Sequence, residues 1–219
     1  MHRFFGAGDE RRGGKTASRQ KNFVFVYGPL ISADNRHRSG FADKVAMPVI
    51  LKDFQRFWSD FTLHLNVAML NIKKQTDSEC NGVLLEMDEK DLQEFDYREF
   101  NFRRMKVDKK LFKPFFKKDS IPDGIFWVAY HPDLIPAKKR LPILSSYLDV
   151  VLTGTLTYGK EFAEMFLDTT DNWTEILDDR ESPIYARAIK NLTHREEIDN
   201  LLYNKFEKEN DIIKKVFSG

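Results

Sequence analysis

The chain has 219 residues and a 42% hydrophobic content, enough for one domain with a sizeable core. Lys and Arg number 35 against 34 Asp and Glu, so the overall charge makes no case for nucleic acid or an anionic membrane surface and points to small or neutral partners. A lone cysteine, Cys80, excludes an intramolecular disulfide. The N-terminus meets charge too early for a signal peptide, and no apolar run approaches the roughly 18 to 20 residues of a membrane span. A soluble protein in a reducing, cytoplasmic setting is expected.

Residues 1–22 are rich in Gly, Ser and Arg without a periodic apolar face, which predicts a disordered basic tail. From Phe23 onward, runs of strand length dominate: FVFVY, AMPVIL, HLNVAMLNI, GVLLEM, FRRMKV and IFWVAY, most bounded by polar or Gly/Pro stretches. One helix interrupts them, over about residues 89 to 98, with Asp88 as N-cap and Leu92 and Phe95 on one face. KVDKKLFKPFFKKDS interleaves Lys with Phe112, Phe115 and Phe116. It reads as a hairpin with one buried and one solvated side, or as a salt-sensitive nucleic-acid contact through bases stacked on the rings.

Beyond about residue 138 the apolar spacing turns helical, through Leu148, Val151, Leu152, Leu156, Phe162, Ala163 and Phe166, with Ser145 or Ser146 as cap. Gly154 and Gly159 each weaken a helix interior by roughly 1 kcal/mol relative to Ala, which predicts a break near Tyr158-Gly159. Thr193 and Glu196 have capping-box spacing, and Ile198, Leu201, Leu202 and Phe206 form the stripe of a terminal helix. The expected division is a tail over 1–22, a sheet domain over 23–137 and a helical extension over 138–219 packed on it.

Two stretches carry chemistry. In Tyr27-Gly28-Pro29-Leu30 a buried-looking strand ends in a glycine, where a bound group can approach the main chain closely and meet amide groups; a Gly-Pro turn of purely structural use is the plainer reading. In DYREFNFRRMKV, Glu99 falls at the junction between the helix and the strand carrying Arg103 and Arg104. A carboxyl group there can be directed into the mouth of a sheet, where it takes a proton and returns it, or it can be an exposed partner of Arg98 or Arg103.

Taken together, these stretches resemble the gamma-glutamylcyclotransferase-like family, which includes the plant AIG2-like proteins. The family's Tyr-Gly-Ser/Thr-Leu turn matches Tyr27, Gly28, Pro29 and Leu30. Its Asp-x-x-Glu followed by a Tyr-x-Arg-x-x-Val strand matches Asp96, Glu99, Phe102, Arg104 and Val107, and the likeness spans about residues 23 to 130. It implies an α+β fold built on a small mixed β-barrel with outer helices. It also implies a cofactor-independent reaction in which a γ-glutamyl amide closes on itself to 5-oxoproline, with Glu99 as general acid/base. The implied substrate-binding residues are Tyr27, Gly28, Pro29, Leu30, Phe102 and Tyr130. Pro29 in place of Ser or Thr removes an N–H, and Phe102 in place of a frequent Tyr removes a hydroxyl. A non-catalytic small-molecule-binding or protein-interaction module on the same fold is the alternative.

The histidines lack metal-ligand spacing, no nucleophile-elbow pattern surrounds a serine, and no phosphate-binding Gly-x-x-x-x-Gly-Lys segment is present. No metal, no cofactor, no nucleic acid and no membrane are expected; the partner is a small γ-glutamyl molecule.

Overall fold

A computed structural model describes residues 20–59, 66–132 and 141–207. Residues 1–19 of the expected tail lie outside the described residues, and Asn22 already opens the first strand.

The strands are β1 (Asn22–Val26), β2 (Ala46–Ser59), β3 (Met69–Met87), β4 (Arg103–Val107), β5 (Phe112–Pro114), β6 (Ile125–Tyr130), β7 (Ile143–Leu144), β8 (Thr170–Asp171) and β9 (Ile176–Leu177). Seven of them form a mixed sheet in the order β4-β6-β1-β3-β2-β5, with β8 beside β2, while β7 and β9 pair separately. β1 runs antiparallel to β3 and parallel to β6, and all five of its residues are buried. Cover on both faces is why its sequence is a continuous apolar run without alternation.

The MLNI end of HLNVAMLNI, from Met69, and GVLLEM, which read as separate strands, belong to one, β3; His64 and Leu65 lie outside the described residues. The polar residues between them, Lys74 to Asp77, are exposed because β2 and β3 run past the core as a two-stranded ribbon. A register shift between Lys52 and Phe54 bends this ribbon, with Asp53 and Asp77 both at positive φ and the Asp77 amide donating to Asp53 Oδ1.

Phe112 on β5 lies three strands from β1 along the ladder, about 14 Å in a flat sheet at roughly 4.8 Å per strand. Its ring nevertheless sits 5.9 Å from Phe25 and 5.1 Å from Phe126 on β6. The sheet is therefore curled around a common apolar core. No ladder joins its two edges, β4 and β5, among the described residues, so the implied closed barrel is not shown; the architecture is a curled mixed sheet with helices outside it. The expected Lys/Phe hairpin does not form either. β4 pairs with β6 and β5 with β2, because Phe112 is drawn into the core and Phe115 packs edge-on against Phe162 at 4.8 Å.

The helices are α1 (Ala33–Arg38), α2 (Glu89–Arg98), α3 (Ser145–Leu156), α4 (Lys160–Asp168) and α5 (Arg195–Glu207). α2 starts as its sequence predicts: Asp88 Oδ1 accepts the Asp91 amide at 2.9 Å, and Asp91 Oδ2 accepts the Asp88 amide at 2.8 Å. Removing this box by Asp88→Ala is expected to cost about 1 kcal/mol. A thermal melt checks this, and the midpoint should fall by roughly 2 to 4 °C.

α3 and α4 break at Gly159, which adopts φ +104. The predicted serine cap of α3 is replaced by Asp179, whose carboxylate accepts both the Ser146 amide at 2.8 Å and the Ser146 hydroxyl. A carboxylate from a later loop suits a helix N-terminus at least as well as a local hydroxyl. In α5 the pair spanning the first turn is His194 and Glu197, 3.2 Å apart, one residue beyond the predicted Thr193 and Glu196. No helix of the described residues is long and apolar enough to cross a membrane.

Arg56 fastens the end of α4 to the sheet. It is fully buried and donates to Asn81 Oδ1, the Phe166 carbonyl and the hydroxyls of Thr169 and Thr170, with its guanidinium 3.8 Å from the Phe166 ring centre. Burial without a carboxylate partner pulls its pKa down to about 10.

Candidate functional site

β1 ends at Val26, and the chain turns through Tyr27 and Gly28 into a single 3-10 turn, Pro29–Ile31, that leads to α1. Tyr27 is anchored by its hydroxyl, which donates to the Ala129 carbonyl at 2.8 Å. The carbonyls of the turn are all engaged: Gly28 and Pro29 accept from Ile31 and Ser32, and Leu30 and Ile31 accept from the buried Arg36 guanidinium at 3.0 and 2.7 Å. Pro29 occupies the first position of the turn, where an N–H has no partner within the helix, so its ring costs the turn no hydrogen bond.

Gly28 adopts φ −135, so the left-handed region is not what selects glycine here. Close approach is. A Cβ at this position would lie 3.3 Å from the Tyr147 hydroxyl and 3.6 Å from Leu70 Cδ1. Tyr147 comes from α3, and α3 reaches the turn because Gly154 lets the two backbones touch. A Cβ on Gly154 would stand 2.5 Å from the Ser32 amide nitrogen.

The turn opens on a cavity of about 170 Å³ lined by residues from both halves of the chain. Drug-sized ligands occupy roughly 300 to 1,000 Å³, so this space suits a small polar molecule or the head of a larger one. Tyr27, Gly28, Pro29, Leu30, Glu99 and Phe102 all line it. Tyr130 does not. Its neighbour Ala129 faces the cavity, and side chains alternate along β6.

Glu99 is delivered by the end of α2, where its amide still bonds to the Phe95 carbonyl and its carbonyl accepts the Phe102 amide at 2.7 Å. Asp96 holds that end onto β4 through two contacts with Arg104, at 2.5 and 2.7 Å, and Arg104 stacks on Trp127. The Glu99 carboxylate keeps a long contact of 3.3 Å with Arg98 Nε, and its side chain is 28% exposed. Both local readings of the sequence are thus partly realised: Glu99 touches Arg98 and also borders the cavity.

Tyr147, Tyr185, Arg187 and Asn35 also line it, beside apolar side chains that include Leu70 and Phe95. Their strand or helix patterns carry no signal for a site, because they reach the cavity only through the packing of α1, α3 and the irregular stretch after β9. The rings of Tyr147 and Tyr185 meet edge-on at 5.0 Å, and the Arg38 guanidinium donates to the carbonyls of Arg187 and Ala188, fixing that stretch at the rim. The Tyr27 and Tyr147 hydroxyls are pushed well above the usual phenol range, chiefly by burial; the Glu99 charge adds to this, most directly at Tyr27. They remain neutral donors and acceptors at physiological pH. Among the described residues, no group of three or more His, Cys, Asp or Glu side chains is gathered as a metal site requires.

No protein-family model and no curated protein sequence matches the chain. Solved structures do. An uncharacterized protein from Homo sapiens superposes with a TM-score of 0.55 at 15% identity, over 84% of this chain and 99% of the other. A gamma-glutamyl cyclotransferase superposes with a TM-score of 0.54 at 14% identity, again over 84% and 99%. At such identities the likeness is one of fold, and it extends over the C-terminal helices as well as the sheet. The chain has the gamma-glutamylcyclotransferase-like fold.

Proposed function

We propose that the protein is a γ-glutamyl cyclotransferase, with Glu99 as general acid/base and the turn at Tyr27–Leu30 as the cradle for the glutamyl head. The observation that carries this reading is the meeting of the two sequence stretches: the Glu99 carboxylate borders the same small cavity as the turn.

The α-amine of a γ-glutamyl amide attacks its own γ-carbonyl carbon, forming the C–N bond of a five-membered lactam. The bond from that carbon to the departing nitrogen breaks. Glu99 accepts the proton lost by the attacking amine and returns it to the leaving nitrogen, so the carboxylate is regenerated in each turnover. Tethering supplies the proximity, and the site has only to hold the substrate folded and exclude competing water. Phe102 and the buried Tyr27 and Tyr147 rings serve that exclusion. Backbone amides of the turn stabilise charge on the carbonyl oxygen without reorganising.

The test is incubation of the full chain with a panel of γ-glutamyl peptides and γ-glutamylamines, followed by assay of 5-oxoproline. Absence of product across the panel, with the fold intact, would sink the reaction and leave a binding module. A milder variant probes the cradle. Gly28→Ala sets a methyl 3.3 Å from the Tyr147 hydroxyl and 3.6 Å from Leu70 Cδ1, two residues that line the cavity. One methyl in a tight pocket is worth roughly tenfold in selectivity, so kcat/KM should fall by about that factor while the melting temperature changes little.

A further inference from the structure

Two side chains outside the motif stretches divide the cavity by depth. Asn35, one turn into α1, is 1% exposed, and neither its Oδ1 nor its Nδ2 has a hydrogen-bond partner among the described residues. A native protein seldom buries a carboxamide with both ends unpaired unless something else completes it. Arg187 lies at the other end. It is half-buried at the rim, its guanidinium 6.0 Å from the Tyr185 ring centre, and it forms no ion pair among the described residues. The like charge of Arg187 is felt by Arg98, which borders Glu99, while Arg38 is occupied by Asp34. Arg187 of the lining and Arg98, paired with Glu99 beside it, thus set two guanidinium groups against one carboxylate, Glu99.

We propose that Arg187 sets the specificity of this cavity by pairing with a carboxylate on the departing amine, while the Asn35 carboxamide holds the glutamyl head at the deep end. The assignment rests on the cyclotransferase reading above and extends it to the leaving group. The head of a γ-glutamyl compound carries an amine and a carboxylate on one carbon, a donor for Oδ1 and an acceptor for Nδ2. With the head held deep beside the turn, the leaving side faces the rim. There a guanidinium attracts a carboxylate and repels a protonated polyamine. The favoured substrates are γ-glutamyl amino acids or peptides, and γ-glutamylamines are disfavoured.

Two compounds that differ only at that group, γ-glutamyl-alanine and γ-glutamyl-alaninamide, provide the test. The unaltered full chain is expected to prefer the acid by roughly tenfold or more in kcat/KM, the scale of one charge-assisted hydrogen bond. Arg187→Gln should collapse that preference toward unity, mainly through KM for the acid, and Arg187→Lys should restore part of it. Asn35→Leu should weaken acid and amide alike yet raise the melting temperature, because it removes two unpaired buried polar atoms. A purely structural asparagine would lower both.

Equal turnover of acid and amide, or equal losses for both in Arg187→Gln, overturns the proposal and leaves the cyclotransferase reading standing. If neither compound turns over, calorimetry with the same pair takes over. Acid-selective binding that is lost in Arg187→Gln supports the recognition assignment while ending the reaction. Binding of neither compound, or of both equally, ends the assignment.

Discussion

Replacing Glu99 by Gln is expected to lower 5-oxoproline release by about 10²- to 10⁴-fold, the usual contribution of a positioned general acid/base. Gln has nearly the shape of Glu and can still donate or accept a hydrogen bond, but it cannot take the proton of the attacking amine. The fold should hardly notice. Among the described residues the carboxylate pairs with Arg98 Nε at 3.3 Å, in a partly exposed setting where such pairs contribute at most about 1 kcal/mol. Steady-state kinetics beside a thermal melt separates these effects: kcat falls steeply, while KM and the melting temperature stay near those of the parent. Glu99→Asp, which withdraws the carboxyl group by one methylene, should fall between the two. A Glu99→Gln protein that still releases 5-oxoproline at the parental rate would remove Glu99 from the chemistry.

The second large effect is expected at Gly154, where the usual sign of a substitution reverses. In an ordinary helix interior, Gly→Ala stabilises by about 1 kcal/mol. Here the added methyl would lie 2.5 Å from the Ser32 nitrogen, 2.7 Å from its Cα and 2.8 Å from the Ile31 carbonyl carbon. All three are backbone atoms, so no side chain can swing away, and overpacking of this kind costs about 1 to 3 kcal/mol or more. Overpacking outweighs propensity. Relief requires α3 and the turn to separate by roughly 1 Å, and a misplacement of that size can cost about 100-fold in rate.

Gly154→Ala should therefore lower both the melting temperature and the turnover per folded molecule. Gly159→Ala makes the control. It sits at φ +104 with no atom within 4 Å of an added Cβ, so it should lose stability through backbone strain without moving the turn. Parental activity in a folded Gly154→Ala protein would contradict the account of how α3 shapes the cavity.

Local physics was enough for part of this protein. The N-cap at Asp88, the apolar faces of α2 and α5, the break at Gly159 and the buried run of β1 all follow from hydrogen bonds and periodicities spanning a few residues, and each is written where it acts. The same is true of the two chemical stretches, whose residue types announce a carboxyl group and an approachable main chain. Neither stretch specifies the distance between them. That is set by the ladders β3-β1-β6-β4, which carry the end of α2 and the end of β1 to one rim of the curled sheet.

What only the tertiary structure decided lies in contacts between distant parts of the chain. Asp179 displaces a serine as the cap of α3, and Arg56 ties Asn81 of β3 to the stretch from Phe166 to Thr170. Gly154 is kept small by the backbone of Ser32, and Asn35, Tyr147, Tyr185 and Arg187 become walls of one cavity. A one-dimensional pattern records whether a residue is buried, and on which face of its own element. It cannot record which remote backbone, ring or guanidinium lies opposite, because that depends on how far a whole sheet curls and where a helix lands upon it.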